Sequence, residues 1–149
     1  MDTIYFYDVP SDRVKEENVF LNNFYISPIV VDNKEFPTVE HYYQASKFKG
    51  QELFESVRLT PTPDDAKKLA RANFVEDEEW KTEKEMAMRT ALQAKFSQHR
   101  ELREKLIATG EARLVEDSPK DAFWGGIVEG SFNRPGDMLM EIREDLKSN

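Results

Sequence analysis

The run DEEWKTEKEMAMRTALQAKFSQ, from Asp77 to Gln98, constrains this chain more than any other stretch. Its spacing predicts the longest helix in the protein, with Trp80, Ala87, Ala91 and Ala94 on one face and Met88, Leu92 and Phe96 beside them. A face of small side chains lets another element approach closely, so this helix is expected to pack against a neighbour. At 149 residues the chain has the size of one ordinary domain and can bury a core without staples. It has no cysteine, which excludes disulfides and thiolate zinc sites. Two histidines, His41 and His99, are too few for a histidine-rich metal centre.

Short strands and further helices flank the long one. IYFY (Ile4–Tyr7) reads as a strand, and DVPSDRVKEEN (Asp8–Asn18) as a loop. SPIVVDNKEF (Ser27–Phe36) reads as two strands joined at Asp32–Asn33, residue types that tolerate positive φ. Thr38 is placed to cap the helix that follows it. Thr62–Asn73 has a threonine cap, Pro63 at the first helical position and acids in the first turn. His99–Gly110 reads as a helix closed by glycine, Ala112–Asp117 as a short strand, and Asp137–Lys147 as an amphipathic closing helix. The expected fold class is α+β, a single predominantly helical domain over the whole chain with a small β-sheet. No apolar run approaches the roughly 18–20 residues of a membrane span, and the N-terminus lacks the layout of a signal peptide. A cytoplasmic or nuclear protein is the expectation. The formal charge of −8 argues against a broad nucleic-acid groove but leaves room for one nucleotide in a local pocket.

The segment PTVEHYYQASKFKG (Pro37–Gly50) crowds a carboxylate, a histidine, two tyrosines, a glutamine and a lysine into one helical stretch. At about 100° per residue, Tyr43, Gln44 and Lys47 fall on the side of Glu40, with Tyr42 and Ala45 opposite. On pattern alone a Glu-to-Lys surface tile is the better reading, which interleaved Tyr43 and Gln44 and the preceding hairpin weaken in favour of a cleft wall. SPKDAFWGG (Ser118–Gly126) joins an acid, a stacking surface and two glycines, and reads otherwise as a loop anchored by one tryptophan. EGSFNRPG (Glu129–Gly136) supplies Asn133 and Arg134 at the entry to the last helix, where backbone amides can hold an anion; on pattern alone a plain helix-entry loop is the better reading. Trp80 and Lys84 lie one turn apart on the long helix. No P-loop, dinucleotide fingerprint, His-Glu-x-x-His site or nucleophile elbow is present.

Taken in order, FYD, FLNNFYISPI, FPTVEHYYQASKF, EEWKTEKEMAMRTALQAKF, ELREKLIATGEARLVEDSPKDAFWG and NRPGDMLMEIRE resemble the NADAR (YbiA-like) family from Tyr5 to Leu146. Members of that family are N-glycosidases acting at the anomeric carbon of a ribose. Some hydrolyse phosphoribosyl-amine intermediates of riboflavin synthesis, and others remove ADP-ribose from guanine bases. By resemblance Glu40 is the essential glutamate and Lys47 the lysine of the Gln-Ala-x-Lys-Phe segment. Trp80, Asp121, Trp124 and Asn133 match further pocket positions. The chain departs from the family pattern at Ile127, Phe132 and Pro135 in the glycine-rich run, at Asn22, and at Ala70 before Arg71. These departures spare the acid–base residues and bear on substrate choice.

The resemblance therefore implies catalytic Glu40, Lys47 and Asp121. The implied substrate-binding set is Asn23, Phe24, Tyr43, Gln44, Arg71, Trp80, Trp124, Gly125, Asn133 and Arg134. The expected reaction is removal of ADP-ribose from guanine in nucleic acid or nucleotides, with ADP-ribose as product. One alternative is hydrolysis of phosphoribosylated riboflavin intermediates. Another is a non-catalytic ADP-ribose or NAD-binding module, which retention of Glu40, Lys47 and Asp121 disfavours. No metal or other cofactor is implied, and no membrane partner.

Overall fold

The computed structural model describes residues 2–117 and 133–148. The chain is α+β and mainly helical, and it divides into two compact units, residues 1–25 with 99–149, and residues 26–98.

In the first unit, strand β1 (Thr3–Phe6) pairs in parallel with β4 (Arg113–Glu116), with Thr3 opposite Arg113 and Phe6 opposite Glu116. Helix α5 (Arg100–Ala108) ends at Gly110, whose φ of 69° is the left-handed conformation of a helix C-terminus. Helix α6 (Arg134–Lys147) lies against β4 and buries Met138, Leu139 and Ile142. Its last turn grips the end of α5: Arg143 donates to the Thr109 hydroxyl (2.8 Å) and Lys147 to the Gly110 carbonyl (2.7 Å). Residues Glu16–Leu21 form a 3₁₀ helix that the polar sequence had read in part as loop; Phe20 and Leu21 are buried there.

In the second unit, β2 (Ile29–Val31) and β3 (Lys34–Phe36) form an antiparallel hairpin. Asp32 and Asn33 both have positive φ, 53° and 65°, as a two-residue turn matched to strand twist requires. Helix α1 (Val39–Ala45) follows, capped by Thr38. Next come α2 (Glu52–Arg58), α3 (Pro63–Asn73) capped by Thr62, and the long α4 (Glu78–Gln98). The α1 helix packs against α2, α3 and α4, and fully buried Ala45, Ala66, Ala70 and Ala91 permit the close approach. The face foreseen on α4 is buried at Trp80, Ala87, Met88, Ala91, Leu92 and Phe96, while Ala94 is only half-buried.

The differences from the sequence reading have physical causes. Among the described residues, two separate two-stranded sheets stand where one small sheet was expected. One strand edge of each is met by a side-chain amide. Gln98 donates to the Val30 carbonyl and accepts from the Val30 N–H, both at 2.8 Å. Asn133 donates to the Leu114 carbonyl (2.8 Å) and accepts from the Glu116 N–H (3.1 Å). Helix α2 has only seven residues and one buried side chain, Val57, too little for an amphipathic stripe to show. Among the described residues, no helix is long and apolar enough to cross a membrane.

Gly136 sits where α6 meets β4: a β-carbon there would collide with the Leu114 carbonyl and the Asn133 amide. Gly136→Ala should therefore lower the urea midpoint, by about 1–3 kcal/mol of overpacking, although alanine favours helix by roughly 1 kcal/mol over glycine. An unchanged or raised midpoint would show that α6 can move off β4 at little cost.

Candidate active site

The site is built on α1, and α1 is fixed by its own histidine. The Thr38 hydroxyl accepts the His41 backbone N–H at 3.1 Å and lies 2.9 Å from His41 Nδ1. His41 Nε2 lies 3.0 Å from the Thr60 carbonyl. A carbonyl only accepts, so Nε2 carries the proton and Nδ1 accepts from Thr38. Burial lowers the pKa of His41 and keeps the ring neutral. Nε2 thus ties α1 to the segment after α2, and Nδ1 binds the helix's own cap.

All seven residues of α1 are buried, so the helix has no polar, solvated face. Glu40 is 7% exposed. Gln44, one turn on, donates from Nε2 to Glu40 Oε2 at 2.6 Å. Burial raises the pKa of Glu40; the Gln44 bond and the positive charges of Lys67, Lys47 and Arg71 offset only part of that. The balance is reasonable in magnitude. Taking a carboxylate out of water costs several kcal/mol, against about 1.5–3 kcal/mol for a hydrogen bond to a charged group. The other amide atom, Gln44 Oε1, is buried without a hydrogen-bond partner among the described residues. It is an acceptor available to a donor on a bound substrate.

After Ala45 the helix tightens into one 3₁₀ turn, Ser46–Phe48, which carries Lys47. The Lys47 ammonium lies over three rings, at 5.4 Å from the centroid of Phe74, 5.6 Å from Tyr43 and 5.9 Å from Trp80. It forms no ion pair among the described residues. Burial lowers its pKa most; Glu40 opposes this, Arg71 adds to it, Glu76 opposes it and Lys67 adds to it. An acid held protonated beyond its usual range thus neighbours an amine held toward neutrality. Pairs of titratable groups pushed in opposite directions are typical of acid–base sites.

Of the residues picked from the sequence, Glu40, Tyr43, Gln44, Lys47, Arg71 and Trp80 meet in this unit. Trp80, 5% exposed, closes on Tyr43 (5.3 Å) and Phe74 (6.0 Å) and walls Lys47. Asn23, Phe24, Asn133 and Arg134 belong to the other unit. Asn23 and Phe24 are half-buried there, and Arg134 lies 3.7 Å from Asp137. The Asn133 amide, expected to bind sugar or phosphate, spends its oxygen and nitrogen on the backbone of β4. Asp121, Trp124 and Gly125 lie outside the described residues. Sequence reasoning missed Phe74 and Lys67. Lys67 was findable, since it stands one turn before Arg71 on α3; Phe74 follows the end of that helix and carries no local signal. Also unforeseen is Lys95, fully buried with its ammonium 5.2 Å from the Phe96 ring centroid, its pKa pushed down by burial to about 7. Among the described residues, no group of three or more His, Asp or Glu could hold a metal ion.

The NADAR domain family model matches residues 5–147. The N-glycosidase YbiA of Escherichia coli is 45% identical over 127 residues, which are 84% of this chain and 79% of that protein. An N-glycosidase of Nostoc punctiforme is 36% identical over 98% of this chain and 94% of its own length. A riboflavin biosynthesis protein of Vibrio vulnificus is 38% identical over 97% of this chain, which corresponds to 38% of that longer protein. The NMR structure of E. coli YbiA matches with a TM-score of 0.83 at 41% identity, covering 99% of this chain and 86% of that one.

The raised pKa of Glu40 has a consequence for stability. The folded state binds the Glu40 proton more tightly than the unfolded state, whose carboxyl titrates near 4.5. The associated stability is complete below that value and is lost as pH rises through the folded pKa. Glu40→Gln, which removes the buried charge, should therefore be more stable than the parent at neutral pH, and the gap should close toward pH 4. Urea midpoints measured across that range check this; a variant less stable at neutral pH would mean that the cations around Glu40 outweigh its burial.

Proposed function

The chain belongs to the NADAR domain family, and from that premise we propose that it is an N-glycosidase that hydrolyses a ribose C1–N bond, with Glu40 and Lys47 at the reacting centre. The observation that carries this reading is a buried carboxyl of raised proton affinity, one turn from an amide that orients it and beside a lysine of lowered pKa. Cleaving the bond builds oxocarbenium character on the sugar, and the departing nitrogen needs a proton. Glu40 is suited to deliver that proton and then, as a carboxylate, to activate water. Lys47 has two routes. As an ammonium it anchors negative charge; as an amine it can add to C1 of the ring-opened N-glycoside and expel the departing amine, which takes its proton from Glu40, leaving a Schiff base that water hydrolyses to the free sugar and lysine. Asp121, to which the family resemblance gives an orienting role, lies outside the described residues. The charges of Lys67 and Arg71 fit a phosphate or pyrophosphate on the substrate.

At the level of substrate, the reading is removal of ADP-ribose from guanine, in nucleic acid or in a nucleotide. A second reading is a phosphoribosylated riboflavin intermediate. It is favoured by the Vibrio relative, whose name is that of a riboflavin biosynthesis protein. Incubating the protein with both substrates and following the products by mass spectrometry tests the two together. Release of guanine-containing product and ADP-ribose supports the first, and release of ribose 5-phosphate with the free amine supports the second. With either substrate, Glu40→Gln should lose at least about 10²-fold in turnover, the low end of what general acid–base catalysis contributes. Near-normal turnover in that variant would remove Glu40 from the chemistry.

The role of Lys47 is separable. If it forms a Schiff base, borohydride added during turnover should fix a ribosyl adduct on Lys47, found by peptide mapping, and Lys47→Arg should lose adduct and activity together. If it is an anchoring charge, arginine retains activity and nothing is trapped.

A further inference from the structure

Three rings wall the Lys47 ammonium, and two of them, Tyr43 and Trp80, are expected at the site from the family resemblance. The third, Phe74, is the nearest, with its centroid 5.4 Å away. On the premise that the protein is an N-glycosidase reacting at Glu40 and Lys47, we propose that Phe74 is a positioning residue: its ring closes an aromatic cage that holds the Lys47 side-chain nitrogen in place for the reaction.

A lysine ends in a compact charge on a flexible four-carbon stem, and fixing it costs rotamer entropy. Something must therefore confine it. Lys47 makes no ion pair or side-chain hydrogen bond among the described residues. The charges that act on it oppose one another: Glu40 of α1 and Glu76 of the α3–α4 link favour the ammonium, while Arg71 and Lys67 of α3 disfavour it. They do not confine it to one place. The rings do. A ring attracts an ammonium within about 6 Å of its centroid, and all three centroids lie at 5.4–5.9 Å. Their planes differ, with Phe74 at 81° and Tyr43 at 59° to Trp80, so the walls face the amine from different sides.

Each wall comes from a different element. Tyr43 stands on α1 and Trp80 on α4, and Phe74 is the first residue after α3. Phe74 is half-buried and its neighbour Val75 is 88% exposed, so this wall is the one beside solvent. It is firmly held. Its ring meets Phe48 edge-on at 5.5 Å and Trp80 edge-on at 6.0 Å. Phe48 follows Lys47 directly and is 2% exposed. At the far end of the link, Asp77 accepts the Trp80 backbone N–H at 2.8 Å, and Glu76 pairs with Lys84 at 3.4 Å. Phe74 thus joins the turn that carries Lys47 to the helix that carries Trp80.

The test reads the Lys47 nitrogen directly. In the intact protein with isotope-labelled lysine, Lys47 is the side-chain NMR signal that disappears in Lys47→Arg. Its titration midpoint is then followed in Phe74→Leu, Phe74→Ala and Phe74→Tyr. Leucine keeps the apolar bulk but removes the ring that attracts the ammonium, so the midpoint should fall below the parent's. Alanine opens the solvent-side wall and relieves burial, so the midpoint should rise toward the usual lysine value of 10.5. Tyrosine keeps the ring and should match the parent. Turnover, measured on whichever substrate the parent hydrolyses, should fall about two- to fivefold in Phe74→Leu, the equivalent of one cation–π contact. It should fall further in Phe74→Ala and stay near parental in Phe74→Tyr. The proposal is overturned if the leucine and alanine midpoints both equal the parent's or move the same way, or if Phe74→Leu turns over as fast as the parent. It is also overturned if turnover falls while the Lys47 midpoint stays put, because Phe74 then acts on the substrate. Should Phe74→Ala fail to fold, the leucine and tyrosine variants decide. A parent protein that hydrolyses neither substrate would overturn the glycosidase reading and with it the purpose of the cage; the midpoints distinguish that failure from a failure of the cage itself.

Discussion

A carboxyl group held away from water costs several kcal/mol in its charged form, and the enclosure of α1 imposes that cost on Glu40. The helix packs against α2, α3 and α4, and its own residues leave no side open to solvent. Such a helix must satisfy its polar groups internally. His41 does so by bonding Thr38 and the Thr60 carbonyl, which fixes the rotation of α1. Gln44 does so for Glu40. With the rotation fixed, Glu40 is directed toward Lys67, Arg71 and Lys47, and Tyr42 toward the hairpin. The two faces of one seven-residue helix thereby serve two chemically different surroundings.

The aromatic enclosure of Lys47 acts in both directions. Each ring attracts an ammonium by about 0.5–1 kcal/mol, while the burial that the rings produce favours the neutral amine. The net direction is toward the amine. An amine within reach of its neutral form, next to an acid within reach of its protonated form, can exchange a proton at modest cost. In water neither group would be so poised.

Among the described residues, an amide side chain meets one strand edge of each two-stranded sheet. Gln98 saturates Val30, and Asn133 saturates Leu114 and Glu116. Gln98 also closes α4, and Asn133 opens α6, so each amide ties a helix end to a strand edge. This explains why Gly136 tolerates no side chain: the first turn of α6 has to come close enough for Asn133 to reach the strand backbone.

The sequence by itself determined the local elements whose causes are local. The positive-φ turn at Asp32–Asn33, the threonine caps at Thr38 and Thr62, Pro63 in the first turn of α3, and the small-residue face of α4 all follow from a few neighbouring side chains. It also determined the family, because many short motifs recur in order, and with it the pairing of Glu40 with Lys47. Tertiary structure decided what those residues experience. A helical wheel places Glu40, Gln44 and Lys47 on one face, and that holds whether the face is wet or dry; only the packing of three helices around α1 makes it dry and shifts the proton affinities. Lys95 shows the same limit, since a lysine in an amphipathic pattern reads as solvated until its neighbours close over it. Asn133 shows it from the other side. Its chemistry suits a ligand, but it sits within reach of two backbone groups of a strand 17 residues or more away in sequence, and only the fold brings them together.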